Sequence, residues 1–138
     1  MITTAGRRGR GWLTLPALLA IGLLTTACDD SDVGLVRQSW TIEGTTDESR
    51  CSELNASQMR LIAVDGAGVV QGTEFAACGA FKAELRLPPG IYSVASAFLG
   101  ADGQPVSRAR AIDGLVVSED EETTIDVDFP SSAFILVR

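Results

Sequence analysis

From Phe81 to Leu99 apolar and polar residues alternate with a period of two. Phe81, Ala83, Leu85 and Leu87 fall on one side, and Lys82, Glu84 and Arg86 on the other. That period marks a half-buried strand. Pro88-Pro89-Gly90 then interrupts the run. Pro89 pre-sets φ for a type II turn, and Gly90 would supply the positive φ that follows it. The next strand places Tyr92, Val94 and Phe98 on one face and the smaller Ser93, Ala95 and Ala97 on the other. The stretch is predicted to be a β-hairpin at the centre of the fold.

The same alternation recurs along the chain. In Leu35–Glu43, Val36, Trp40 and Ile42 share a face, opposite Arg37, Ser39, Thr41 and Glu43. A strand is expected at Gln58–Asp65, whose apolar run is almost continuous, and another at Val69–Phe75, with Gly72 marking a bulge. Val106–Asp113 carries Arg108 and Arg110 and reads as an edge strand, where charge discourages further pairing. Leu115–Ser118 is short and apolar. Thr123–Phe129 directs Ile125, Val127 and Phe129 inward and Thr124, Asp126 and Asp128 outward. Ala133–Val137 closes the chain as a further apolar strand. No segment sustains a helical period, and Gly44–Ser57 reads as a polar loop. About seven to nine short strands separated by turn signals predict an all-β fold, a single antiparallel β-sandwich over residues 35–138.

The first 28 residues have a different character. Arg7, Arg8 and Arg10 form a basic region, and Trp12–Leu24 is an apolar run of the length of a secretion signal. That run is shorter than the ~20 residues a membrane span needs. Arg7-Arg8 lacks the flanking pattern of twin-arginine export and reads as a plain basic region. Leu23-Leu24-Thr25-Thr26-Ala27-Cys28 resembles a bacterial lipobox, with a small residue directly before the cysteine; Thr25 stands where Leu is usual. The resemblance implies a signal peptide over residues 1–27 and lipidation of Cys28. Several acyl chains make such an anchor stable. Residues 28–34, including Asp29, Asp30 and Asp32, would form an acidic tether. Asp29 after the cysteine resembles an inner-membrane retention signal of enteric bacteria, a rule that varies among bacteria, so either membrane of the envelope is open.

Charge then narrows the function. The chain has 11 basic and 18 acidic residues and a net charge of −7. Loss of Arg7, Arg8 and Arg10 with the signal peptide would move that to −10. Such a surface repels phosphates, so no nucleic acid partner is expected. There is no histidine, and Lys82 is the only lysine. The commonest general base and metal ligand near neutral pH is therefore missing, and no enzyme activity, cofactor or metal is expected.

Cys51 and Cys78 remain inside the domain. In an exported protein a disulfide is the natural reading. It would close a loop of about 27 residues, worth about 3–4 kcal/mol in the chain-entropy model. A redox or metal pair fits less well, because C-x-x-C spacing and histidine are both lacking. Trp40 could stack on a ligand, but it shares the parity of Val36 and Ile42 and is expected in the core. Glu119–Glu122, Asp126 and Asp128 could attract Ca²⁺. They lack the spaced pattern of a calcium loop and read as a solvated acidic face. Asp65, Asp102 and Asp113 each precede glycine, which is turn chemistry. Asn55-Ala56-Ser57 matches a glycosylation sequon, which has no consequence if the host is a bacterium, as the lipobox resemblance implies.

Leu87-Pro88-Pro89-Gly90-Ile91-Tyr92-Ser93-Val94, followed by Phe98-Leu99 and Asp102-Gly103, resembles a turn and strand of carboxypeptidase-regulatory-like and transthyretin-like domains. Thr124–Phe129 resembles their last strand. The resemblance implies an Ig-like or transthyretin-like sandwich and carries no catalytic residues. The leading expectation is a non-enzymatic envelope lipoprotein. It would be held to the lipid bilayer through acylated Cys28 and would act as a structural or protein-interaction module on an envelope protein. A glycan-binding module for a surface polysaccharide is the alternative.

Overall fold

The computed structural model describes residues 32–135. Strict alternation produces strands wherever it is strongest. β1 (Gly34–Ile42) buries Val36, Gln38, Trp40 and Ile42 and turns the intervening residues outward. A short helix, α1 (Ser49–Glu53), follows. Next come β2 (Gln58–Asp65), β3 (Val70–Ala77), a 3-10 turn at Cys78–Ala80 and β4 (Lys82–Leu87). β5 (Gly90–Leu99), β6 (Arg110–Val117) and β7 (Glu122–Phe129) complete the set, with a second 3-10 turn at Ser131–Ala133.

These strands form two sheets, ordered β4-β1-β7 and β3-β2-β5-β6. Their facing sides make one core, as in a β-sandwich. Phe98 sits at its centre. Its ring meets Trp40 and Phe129 edge-on at 6.3 and 4.8 Å and stacks on Phe134 at 5.3 Å. Aromatic pairs in those geometries add stabilisation beyond the area they bury. The all-β sandwich expectation holds, with seven strands among the described residues. The antiparallel expectation needs one correction. β1 pairs antiparallel with β4 but parallel with β7, from Leu35 opposite Glu122 to Ile42 opposite Phe129.

A second correction concerns Phe81–Leu99. It is not a hairpin, because β4 pairs with β1 and β5 pairs with β2 and β6. The turn crosses from one sheet to the other. Ala83, Leu85 and Leu87 consequently share the core with Tyr92, Val94 and Phe98. Pro88 and Pro89 have no N–H to give to a ladder, which favours a crossing over a paired turn. The Tyr92 hydroxyl closes the corner by donating to the Pro88 carbonyl at 2.6 Å, the kind of bond found at sandwich corners. Gly90 does not take a positive φ, unlike Gly44, Gly68, Gly103 and Gly114.

Smaller differences have local causes. Residues 106–109 are not in a strand, and β6 runs through Asp113-Gly114 to Val117, joining two predicted strands into one. Gly114 bends it at φ +69°. β6 lies at the sheet edge, as its arginines suggested. The irregular register on β3 falls between Gly72 and Val70, beside the predicted bulge. Of the expected last strand, the described residues form only a bridge between Phe134 and Ser107; residues 136–138 lie outside the described part. Helix α1 replaces part of a predicted loop. At five residues it is too short to show a helical period. Asp47 supports its start by accepting the Ser49 N–H and hydroxyl at 3.0 and 2.8 Å, which holds its carboxyl below the usual range.

Candidate binding groove

Cys51 and Cys78 are bonded, with Cα atoms 6.0 Å apart. Cys78 lies in the 3-10 turn before β4, whereas Cys51 sits on α1 rather than in a loop. Both are buried. The bridge pins the turn carrying Cys78–Phe81 against the helix. Trp40 pins the same turn from the core side, its Nε1 donating to the Cys78 carbonyl at 3.1 Å. Trp40 is only 1% exposed and is a core residue, as its parity indicated. Tyr92 is likewise buried.

The pinned turn ends at Phe81, whose backbone is left-handed at φ 55°. For a bulky L-residue that conformation costs roughly 1–2 kcal/mol. Sequence parity assigned Phe81 to the inward face of a strand. The left-handed step instead starts β4 at Lys82 and leaves the Phe81 ring half-buried, 6.5 Å from the Trp40 ring. No periodicity signal could reveal this, because it depends on where the disulfide and Trp40 hold the turn.

Phe81 borders an open groove of about 420 Å³ on the outer face of the three-stranded sheet. The sheet supplies Ser39 and Thr41 from β1, Asp126 and Asp128 from β7 and Lys82 from β4, while Thr46 closes one end. Asp128 is the best-fixed polar group. It accepts the Thr41 hydroxyl at 2.7 Å and the Gly44 N–H at 2.8 Å, and the Thr41 bond above all holds its carboxyl below the usual carboxylate range. The groove thus offers one aromatic wall, three hydroxyls, one ammonium and two carboxylates. It can hydrogen-bond and pack against an extended polar chain.

Further along this face Arg37 bridges its neighbours. It donates to Glu84 on β4 at 2.7 Å and to Glu122 on β7 at 2.9 Å. The rest of the acidic turn stands apart from the groove. Glu119 meets Asp32, whose negative charge and hydrogen bond raise the Glu119 pKa. Among the described residues no three histidine, cysteine or carboxylate side chains converge as a metal site would require. Cys28 lies outside the described residues, and among those residues no helix is long and apolar enough to cross a membrane.

No family model matches the chain. No curated protein matches it either. Solved structures do resemble it. A leucine-rich repeat protein from Bacteroides thetaiotaomicron superposes with a TM-score of 0.49 at 13% identity, over 73% of this chain and 12% of its own. A type II cohesin–X-dockerin complex from Acetivibrio cellulolyticus gives 0.44 at 16% identity, over 75% and 56%. A candidate adhesin from Bacteroides ovatus gives 0.43 at 10% identity, over 70% and 45%. The chain therefore spans only about an eighth to about a half of the proteins it resembles.

Proposed function

We propose that this chain is an exported, lipid-anchored β-sandwich that binds an extended segment of another envelope protein in the Phe81 groove. The groove carries the reading. It is open, it lies on a face that carries charged side chains, and a disulfide and a buried tryptophan fix its wall in advance. Preorganisation of that kind reduces the ordering cost of binding. Export is supported by the signal-like N-terminus and by the disulfide, which persists in oxidising compartments. Anchoring is supported by the placement of Cys28 after Ala27, outside the disulfide-bonded domain. The likeness of Leu87–Val94 to carboxypeptidase-regulatory-like domains agrees with an accessory role. The aromatic wall favours a second reading, in which the groove takes a polysaccharide.

Two measurements test the proposal. The intact mass of protein purified from its native membrane should equal residues 28–138 plus acyl chains, and should rise by about two protons on reduction. An unacylated mass refutes the anchor. A photoreactive residue at Thr46 should crosslink one envelope protein, and Phe81→Asn should abolish the crosslink. Asn tolerates the left-handed backbone, so the fold should survive. Retained crosslinking in the variant refutes the groove as the site. Loss of glycan-array binding in that variant, with no protein crosslinked, assigns the groove to a polysaccharide.

A further inference from the structure

The two outer faces of the sandwich differ in character. On the three-stranded sheet, β4 and β7 alternate strictly, and their outward residues are mostly charged or hydroxylated. On the four-stranded sheet the alternation fails. β2 reads Met-Arg-Leu-Ile-Ala-Val from residue 59 to 64, apolar at both parities except for Arg60. β5 likewise turns Ile91, Ser93 and Ala95 outward, and Ala97, of the same parity, is buried opposite Arg60. Strands with apolar residues at both parities belong to sheets covered on both sides, whereas a sheet with one wet face keeps the alternation.

Register assembles these positions into one surface. Ile62 lies opposite Thr73 and Ala95, Val64 opposite Val70 and Ser93, and Ile91 opposite Val116. Phe75, Val70, Ile91 and Val116 are each about half or more exposed, at 49, 56, 63 and 59%. Arg60 stands at the Phe75 end, with its Nε buried and without a hydrogen-bond partner. Asp113 stands towards the other end, accepting the Ser93 hydroxyl at 2.6 Å.

We propose that this face is the interface of a homodimer, two copies packing their four-stranded sheets against each other. Because β2 and β6 stand two places apart in the sheet, a twofold axis lying in the interface and running obliquely across the strands carries Arg60 of each copy towards Asp113 of the other. One face thereby supplies both partners of a charge pair, as an isologous contact requires. The area is sufficient. Four strands of about eight residues cover about 19 by about 26 Å, or about 500 Å². Two such faces bury about 1,000 Å², the threshold for a biological interface and the size of a weak, concentration-dependent one. The acidic Glu84, Glu122, Asp126 and Asp128 lie on the other sheet, away from this contact.

Sedimentation equilibrium of the processed full-length protein, in density-matched detergent, tests the proposal. A concentration-dependent dimer is expected. Ile91→Arg and Val116→Arg alter solvent-exposed positions, so their circular dichroism should be unchanged while dimerisation weakens about tenfold or more. Arg60→Asp should weaken it as well, and adding Asp113→Arg should restore it. A monomer at every concentration overturns the proposal, as does a dimer indifferent to the folded Ile91 and Val116 variants. A monomer that floats with phosphatidylglycerol vesicles through Ile91 and Val116 overturns it in favour of a lipid surface.

Discussion

Single residues here act mainly through whether their polar atoms are matched. Gln38 has the inward parity of Val36 and Trp40 and is 1% exposed, and its Nε2 has no hydrogen-bond partner. An unmatched buried amide group costs about 1–3 kcal/mol. Gln38→Met, of similar length and without the amide, should therefore stabilise the domain, read as a higher urea midpoint with an unchanged m-value. A lower midpoint would mean that the amide is matched in solution. Asp65 is the opposite case. The Val69 N–H, the Gln71 side chain and the Ala67 N–H donate to it at 3.0, 2.8 and 2.9 Å, and its pKa is lowered, the Val69 bond contributing most. A depressed carboxylate stabilises the fold above its unfolded pKa and ceases to do so as pH falls through the folded value. Asp128 behaves in the same way. Melting temperature should fall on acidification below about pH 4, and Asp65→Asn should flatten that decline. An unchanged acid limb in the variant would remove Asp65 from the explanation.

At the scale of the element, backbone approach and corner geometry dominate. β1 starts at Gly34, where an added Cβ would lie 2.4 Å from the Ser118 carbonyl oxygen. That neighbour is backbone and cannot swing away. Gly34→Ala should thus destabilise by about 1–3 kcal/mol, the range of overpacked sites, with chemical shifts changing at Val117 and Ser118. A neutral result would indicate that the start of β1 can move outward. The β4–β5 corner depends on Tyr92 in a different way. Tyr92→Phe keeps the buried ring and removes only the bond to Pro88. A loss of about 1 kcal/mol is expected, measured by thermal unfolding, and a larger loss would show that the hydroxyl sets the crossing itself.

At the scale of the molecule, the disulfide joins what the sheets leave separate. It ties α1, outside both sheets, to the turn that carries Phe81. With its cysteines separated by 27 positions in sequence, the chain-entropy model assigns about 3–4 kcal/mol to it. Reduction should lower the melting temperature by roughly 10 °C or more, and should broaden the Phe81 ring signals before the domain unfolds. Fluorescence should report the same loosening through Trp40, whose N–H bonds the Cys78 carbonyl. Unchanged ring signals after reduction would mean that Trp40 alone fixes the groove wall.

The sequence by itself determined most of what is inside, Phe81 being an exception. Period-two alternation placed Val36, Trp40, Leu85, Val94, Val127 and Phe129 in the core, and all are buried. Alternation is a property of a strand and its two faces, so it survives without knowledge of the neighbours. Two cysteines behind a signal-like N-terminus likewise indicated their bond. Only the tertiary structure decided which strands are neighbours. Pro88-Pro89-Gly90 fits a hairpin or a crossing equally well in sequence, and the choice rests on β1 and β2 offering their edges to β4 and β5. The parallel pairing of β1 with β7 joins residues more than eighty positions apart, beyond any local signal. The groove was illegible for the same reason. Its carboxylates, its lysine and two of its hydroxyls come from three strands of one sheet, and its aromatic wall exists because a disulfide to the remote α1 holds the Phe81 turn in a conformation that local preference disfavours.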